Sequence, residues 1–299
     1  MKKRISRKIL KKIRIALLFV WALAFASLFI APTILTVTNS LMSETELTSN
    51  YGAVLGDVSG GNSYMSEKVN LKIIPDIVSL KQYITVLFQS PEYLLKFWNS
   101  VILTLPIVLG QLVVAAFASY GFYRCRSRVK DTIFFMYILL MLMPYQVTLV
   151  PNFIVSEALG ILGTRWAVIL PGLFTPLSVF ILTKSMRRIP HAAIEAARLD
   201  GAGEFKVFTK ICLPMCSSAL YSVAILTFID NWNMVEQVLI LLDNPEKQPL
   251  SVFLSQINTG EVGVAFAVAT VYMIPPILLF LHGEENLVEG ITYSGSVKG

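Results

Sequence analysis

Charged side chains are scarce in this sequence: Asp, Glu, Lys and Arg make up 15% of its 299 residues, while 55% are hydrophobic. A mean hydropathy of +0.66 lies far above that of a soluble domain, so a bilayer is the expected solvent. Histidine and cysteine are scarcer still. His191 and His282 are the two histidines, too few to build a metal site without a ligating cluster of carboxylates or thiolates, which is not expected here. Cys125, Cys212 and Cys216 are odd in number, which disfavours a disulfide framework. No G-x-x-x-x-G-K-[ST] loop occurs. Gly201-Ala202-Gly203 is not followed by the Gly-Lys-Ser/Thr that would cradle phosphate, so the chain does not hydrolyse ATP alone by that route. The long apolar runs also lack charge in their middles. Ion-coupled carriers usually need ionisable groups there, and a membrane enzyme needs a nucleophile–base or metal set that these few residues cannot assemble.

What is present is a succession of apolar runs. Eight Lys and Arg residues stand among residues 1–14, followed by an apolar stretch from residue 15 to 38. A signal-peptide core spans about 7–15 residues and a bilayer crossing needs about 20. A retained first span is therefore expected, with Ala24–Ala26 as the rival cleavage region. Residues 39–96 are mixed and polar, with a loop signal at Gly60-Gly61-Asn62-Ser63 and short helices expected over Leu80–Phe88 and Tyr93–Trp98. Further spans are expected over about 100–122, 132–155, 166–185, 212–228 and 263–281. Prolines inside the third, fourth and sixth permit kinks.

The net charge is +6 and the pI near 9.2. In a membrane protein this balance points to cytoplasmic loops rather than nucleic acid. With the N-terminus placed in the cytoplasm, the inner segments hold 19 of the 25 Lys and Arg residues and the outer segments hold six. That asymmetry puts both termini and the loop at 187–214 on the cytoplasmic side.

Glu195 to Pro214 is the longest charged and polar run between apolar spans in the second half of the chain. Pro190 suits the first turn of a helix running through Leu199, and Gly201 is a natural left-handed stop. Phe205, Phe208 and Ile211 form an apolar stripe in the next segment. Ala193, Ala196 and Ala197 give the first helix a small-residue face, built to dock into something else. This stretch resembles the EAA loop of ABC-transporter permeases: Glu195, Ala196, Ala197, Gly201, Ile211, Leu213 and Pro214 all fall in that pattern's register. Asp200 joins them at the turn. Other features are similar to the smaller permease of maltose-type carbohydrate importers. These are Phe97-Trp98-Asn99-Ser100, Ala118 to Arg124, Pro144 to Pro151, Ser185 to Pro190, Trp232-Asn233, and the terminal Gly295-Ser296-Val297-Lys298-Gly299.

The resemblance implies an all-α membrane protein with six transmembrane helices, a type I ABC importer permease fold, and a cytoplasmic EAA coupling helix. The permease core would span 97–283 and the cytoplasmic tail 284–299. The implied partners are a second related permease, an ATP-binding cassette ATPase dimer and an extracytoplasmic solute-binding protein that delivers sugar. The chain itself would hold no cofactor, because ATP and magnesium would bind the ATPase. Glu195 would meet a basic residue of that partner. The alternative cargo is another small solute, and the rival class is a self-contained secondary carrier.

Two polar groups are candidates for the substrate pathway. Tyr145, Gln146 and Asn152 surround proline breaks, and either touch substrate or satisfy backbone groups freed by the kinks, with the structural role favoured. Asn231, Trp232 and Asn233 offer either an aromatic platform for a sugar ring or an interfacial anchor.

Overall fold

The computed structural model describes residues 2–55, 71–125, 127–256 and 262–295. The Gly60–Ser63 loop, Arg126 of the basic loop and the terminal residues 296–299 lie outside the described residues. The chain divides into two compact units, Met1–Pro91 with Ile257–Val271, and Glu92–Gln256 with Tyr272–Gly299. Among the described residues the regular elements are helices, apart from one isolated antiparallel bridge between Met42 and Val78.

The first unit holds α1 (Lys2–Asn39), α2 (Glu44–Leu55) and α3 (Lys81–Ile84), which continues into a π-helical turn at Thr85–Gln89. No part of the most apolar stretch of α1 is buried. A helix this apolar that the described residues leave uncovered has the length and hydropathy of a membrane span. Beyond it, Met42, Leu47 and Tyr51 pack on Phe266 in a small core. Asn39 Nδ2 donates to the Tyr51 hydroxyl at 2.7 Å, and Gln82 Nε2 donates to the Met42 carbonyl at 2.6 Å.

In the second unit α4 (Pro91–Arg124) comes first, then α5 (Arg128–Met141), α6 (Tyr145–Ala158), α7 (Arg165–Gly172) and α8 (Pro176–Met186). They are followed by α9 (His191–Leu199), α10 (Glu204–Val207), a π-helical turn at Phe208–Cys212, α11 (Leu213–Met215), α12 (Ser217–Trp232), α13 (Glu236–Leu241) and α14 (Leu250–Ser255). The last helix, α15 (Val262–Gly295), gives its residues from Tyr272 onward to this unit. In α4, Leu103, Ile107, Gln111, Ala115 and Ser119 form a buried i, i+4 stripe. Leu105, Leu109, Val113 and Phe117 form a second such stripe that is apolar and exposed. The first stripe meets protein, and the second is an apolar surface that the described residues leave largely uncovered.

Among the described residues, four stretches are long and apolar enough to cross a membrane: Lys11–Asn39, Pro91–Arg124, Arg165–Met186 and Val262–Leu287. Two bent pairs bring the count up to six if each pair is one span. Arg128–Met141 meets Tyr145–Ala158 at 104°, and Glu204–Met215 meets Ser217–Trp232 at 74°. The single span expected over 132–155 is therefore two helices. The reason is Pro144: it lacks an N–H, and its ring disfavours helical backbone at Met143. The span expected from Cys212 starts instead at Ser217, after a break at Cys216. Tyr93–Trp98 is no separate helix but the first turns of α4, whose helical residues run on without a breaker. The segment from 284, expected as a tail, stays helical to Gly295.

Candidate functional site

The segment from Pro190 to Met215 is folded around its own apolar cluster. Ile194, Val207, Phe208 and Cys212 are buried with Met186 of α8 and Ala116 of α4, and Ala197, Ala202 and Leu213 pack against them half-buried. The turn after α9 is a complete Schellman motif. Ala202 N–H donates to the Ala197 carbonyl at 2.9 Å and Gly201 N–H to the Arg198 carbonyl at 3.0 Å. Gly201 carries the φ of +78° that this geometry demands.

Burial assigns the two faces of α9. Ile194 is inward with Ala197 beside it, while Ala192, Glu195, Ala196 and Leu199 lie outward at helical spacing, Leu199 being 89% exposed. The small-residue face of Ala193, Ala196 and Ala197 is thereby corrected, since Ala197 belongs to the inner cluster. The Phe205, Phe208, Ile211 stripe is also split. Phe208, at the start of the π-helical turn, is buried, and Phe205, in α10 before it, is 70% exposed. Ile211 is half-buried, and Pro214 sits exposed in the first turn of α11. Asp200 caps α9 and is exposed.

Glu204 anchors this segment from outside. Its carboxylate accepts from the Tyr120 hydroxyl at 2.7 Å, from Arg124 Nε and Nη2 at 3.2 Å each, and from Arg198 Nη2 at 2.9 Å. The end of α4, the last turn of α9 and the first turn of α10 thus meet on one side chain. The Tyr120 hydroxyl, followed by Arg124, holds the Glu204 carboxyl below its ordinary value of 4.5. A depressed carboxylate contributes stability that is complete above the unfolded-state value and is lost as pH falls through the folded-state one. Glu204→Gln is accordingly expected to lower Tm at neutral pH. The difference from the parent should close as the medium is acidified below the usual carboxylate range, as read by thermal unfolding at stepped pH.

A second feature lies between α4, α8 and α12. A cleft of about 330 Å³ is lined by Gln111, Thr175, Ser178, Thr227, Asp230 and Asn231 among its polar residues, and by Leu177, Ile181, Val223 and Leu226 among its apolar ones. Gln111 is 2% exposed and donates to Ser178 Oγ at 2.6 Å, while its carbonyl oxygen has no hydrogen-bond partner. Gln111, Ser178 and Asp230 were not singled out in the sequence. The readable signal was a lone amide in the otherwise apolar middle of α4.

Of the six pathway candidates, Asn231 lines this cleft, with Nδ2 donating to the Thr227 carbonyl at 2.8 Å. Tyr145 interacts with Asn152 and Gln237, and Gln146 Nε2 donates to Glu236 at 3.2 Å. Tyr145 and Gln146 thus tie α6 to α13, and Asn152 meets Tyr145 within α6. Trp232 is neither a platform nor an anchor. It is 1% exposed, stacks on Phe228 and Tyr272 with centroids at 5.2 and 5.4 Å, and meets Phe97 edge-on. Its Nε1 donates to the Tyr272 carbonyl at 3.2 Å, and the Tyr272 hydroxyl donates to the Trp232 carbonyl at 2.6 Å. Asn233 Oδ1, 2.9 Å from the same hydroxyl, shares its one hydrogen with the Trp232 carbonyl. Asn99 and Ser100 at the start of α4 hold the segment before α14. Asn99 Nδ2 donates to the Glu246 carbonyl at 2.7 Å, and Ser100 Oγ accepts from Leu250 N–H at 3.0 Å.

Residues 86–287 match the family described as binding-protein-dependent transport system inner membrane component. The matched range takes in both the α9 segment and the cleft. The chain is 27% identical over 252 residues to the arabinooligosaccharides transport system permease protein AraQ of Bacillus subtilis (strain 168), covering 82% of this chain and 88% of that protein. It is 26% identical over 214 residues to the lactose transport system permease protein LacG of Rhizobium radiobacter, covering 71% of this chain and 78% of that protein. A chain in the crystal structure of a bacterial ABC transporter involved in the import of the acidic polysaccharide alginate superposes with a TM-score of 0.74. That match is 20% identical and covers 94% of this chain and 97% of the other, so the fold is that of type I ABC permeases.

Proposed function

The chain belongs to the family of binding-protein-dependent transport system inner membrane components, and from that membership we propose that it is a permease subunit of an ATP-driven importer of sugars or oligosaccharides. The observation that carries this reading is the family match across 86–287, together with relatives named for arabinooligosaccharide and lactose transport. The importer is completed by a second, related permease, an ATP-binding cassette ATPase dimer that binds ATP and magnesium, and an extracytoplasmic solute-binding protein. The excess of Lys and Arg on one side supports a cytoplasmic position for α9 and both termini in a cell-membrane protein.

In this reading α9 is the coupling helix. Its outward Ala192, Glu195, Ala196 and Leu199 seat in a cleft of the ATPase, with Glu195 meeting a basic side chain there. Its inward Ile194 and Ala197 bear on the cluster that includes Ala116 of α4, Met186 of α8 and Cys216 at the head of α12. The same three helices share a second cluster, with Ala115, Val179, Leu182, Ala219 and Val223, and Val223 also lines the cleft. Closure of the ATPase therefore moves a packed set of helices rather than a loose loop. Such a set rocks as a rigid unit and opens the pathway to alternate sides. Nucleotide and ligand need only prefer one of the two states to shift the population.

The test is reconstitution in proteoliposomes. ATP-dependent uptake of oligosaccharide is expected with the full set of subunits and binding protein, and is expected to vanish when the ATPase is omitted. Uptake by this chain alone would contradict the reading and favour a self-contained carrier.

A further inference from the structure

The cleft between α4, α8 and α12 has a chemical bias. Among the described residues its polar lining consists of amides, hydroxyls and one carboxylate, with no Lys, Arg or His. Gln111 is the decisive member. It is 98% withdrawn from solvent, its amide N–H is committed to Ser178, and its carbonyl oxygen is left without a donor. Buried acceptors are almost always satisfied, and this orphan, enclosed in the cleft wall, gains a donor when the Gln111 side chain turns to meet a hydroxyl in the cleft. Asp230, exposed at the same cleft, adds two further acceptor oxygens. Ile181, Val223 and Leu226 supply apolar surface suited to the C–H face of a sugar ring.

We propose that this cleft is a transit subsite for uncharged, hydroxyl-rich saccharides, that Gln111 and Asp230 accept from their hydroxyls, and that Asp230 turns away uronic acids. The proposal rests on the sugar-importer reading and deepens it. Hydroxyls donate to both acceptors. A uronate would set a second carboxylate beside Asp230 with no cation in the lining to neutralise the pair, an arrangement that is costly wherever water is partly excluded. Charge selection at the permease would then act after the binding protein has released its cargo, as a second filter.

The experiment uses the complete transporter in proteoliposomes with ATP inside. The probes are maltotriose, arabinotriose, raffinose and trigalacturonate, each titrated first against the isolated binding protein so that capture and transit are read separately. Uptake is then measured at saturating binding protein for the parent, Asp230→Lys and Gln111→Leu, with subunit assembly checked by co-purification. Among captured probes, the parent is expected to carry a neutral trisaccharide and to carry trigalacturonate at least about tenfold more slowly. Each variant should lower neutral uptake by about tenfold, the scale of one lost hydrogen-bond partner in a buried site. Asp230→Lys should also narrow the gap against trigalacturonate. Because Asp230 is exposed, that variant keeps the test valid if Gln111→Leu fails to assemble. Unchanged uptake in an assembled Asp230→Lys transporter, or equal carriage of trigalacturonate by the parent, overturns the subsite while leaving the sugar-importer reading intact. Failure of the transporter to capture or carry any saccharide overturns both.

Discussion

Gly201→Asp is expected to leave the transporter assembled and to cut ATP-coupled uptake on the order of a hundredfold, the scale of placing an uncompensated charge in a closed interface. The geometry separates two ways in which this substitution acts. A Cβ built on Gly201 meets no atom within 4 Å, so there is no clash to relieve. The φ of +78° does impose a backbone cost, about 1 kcal/mol, and it is smallest for Asp and Asn among non-glycine residues. The Schellman turn therefore survives, and what changes is the charge beside Asp200 on the outward side of α9. Gly201→Asn provides the control, because it has the same backbone tolerance without the charge. It is expected to retain most of the uptake. Equal loss in both variants would assign the effect to backbone strain instead of docking.

Trp232→Ala is expected to destabilise the chain by about 3–5 kcal/mol, the range for removing a large buried aromatic. Trp232 has three ring neighbours and a reciprocal pair of hydrogen bonds with Tyr272. Trp232→Phe should cost about 1 kcal/mol for the lost indole N–H bond, plus the smaller ring's packing deficit. Thermal unfolding of the purified complex in lipid nanodiscs reads both. A Trp232→Ala protein with an unchanged Tm and a raised KM for sugar would return this residue to the pathway.

The apolar runs were legible in the sequence because a bilayer demands length and hydropathy, which composition alone displays. The breaks were only partly legible. Pro144 announces a kink, but the 104° between α5 and α6 depends on what each half packs against, and no local pattern encodes that. The π-helical turn at Phe208–Cys212 has no composition signal at all, and the stripe read across it splits into a buried Phe208 and an exposed Phe205. Trp232 was misread for a physical reason. Interface and interior both favour aromatics near the end of a span, and burial at 1% separates them only once α15 and α4 are in place. The alanines of α9 were ambiguous for a similar reason: in so short and alanine-rich a helix the face is fixed by Ile194, not by the alanines. Gln111 was hidden by its context, a single amide in a long apolar helix that reads as lipid-facing until its stripe proves buried.

The account stands on the outward face of α9 meeting an ATPase in the cytoplasm. Its most direct measurement is cross-linking in the complete transporter, with Ala196→Cys on the outward face and Ile194→Cys on the inward face as the comparison. Exposed Cys125 is replaced by serine in both, while Cys212 and Cys216 are buried and stay. A short bifunctional maleimide is expected to join Ala196→Cys to the ATPase subunit and to stop uptake, and to leave Ile194→Cys unjoined. Labelling of Ala196→Cys by a membrane-impermeant maleimide added outside intact cells, with no cross-link to the ATPase, would contradict the account.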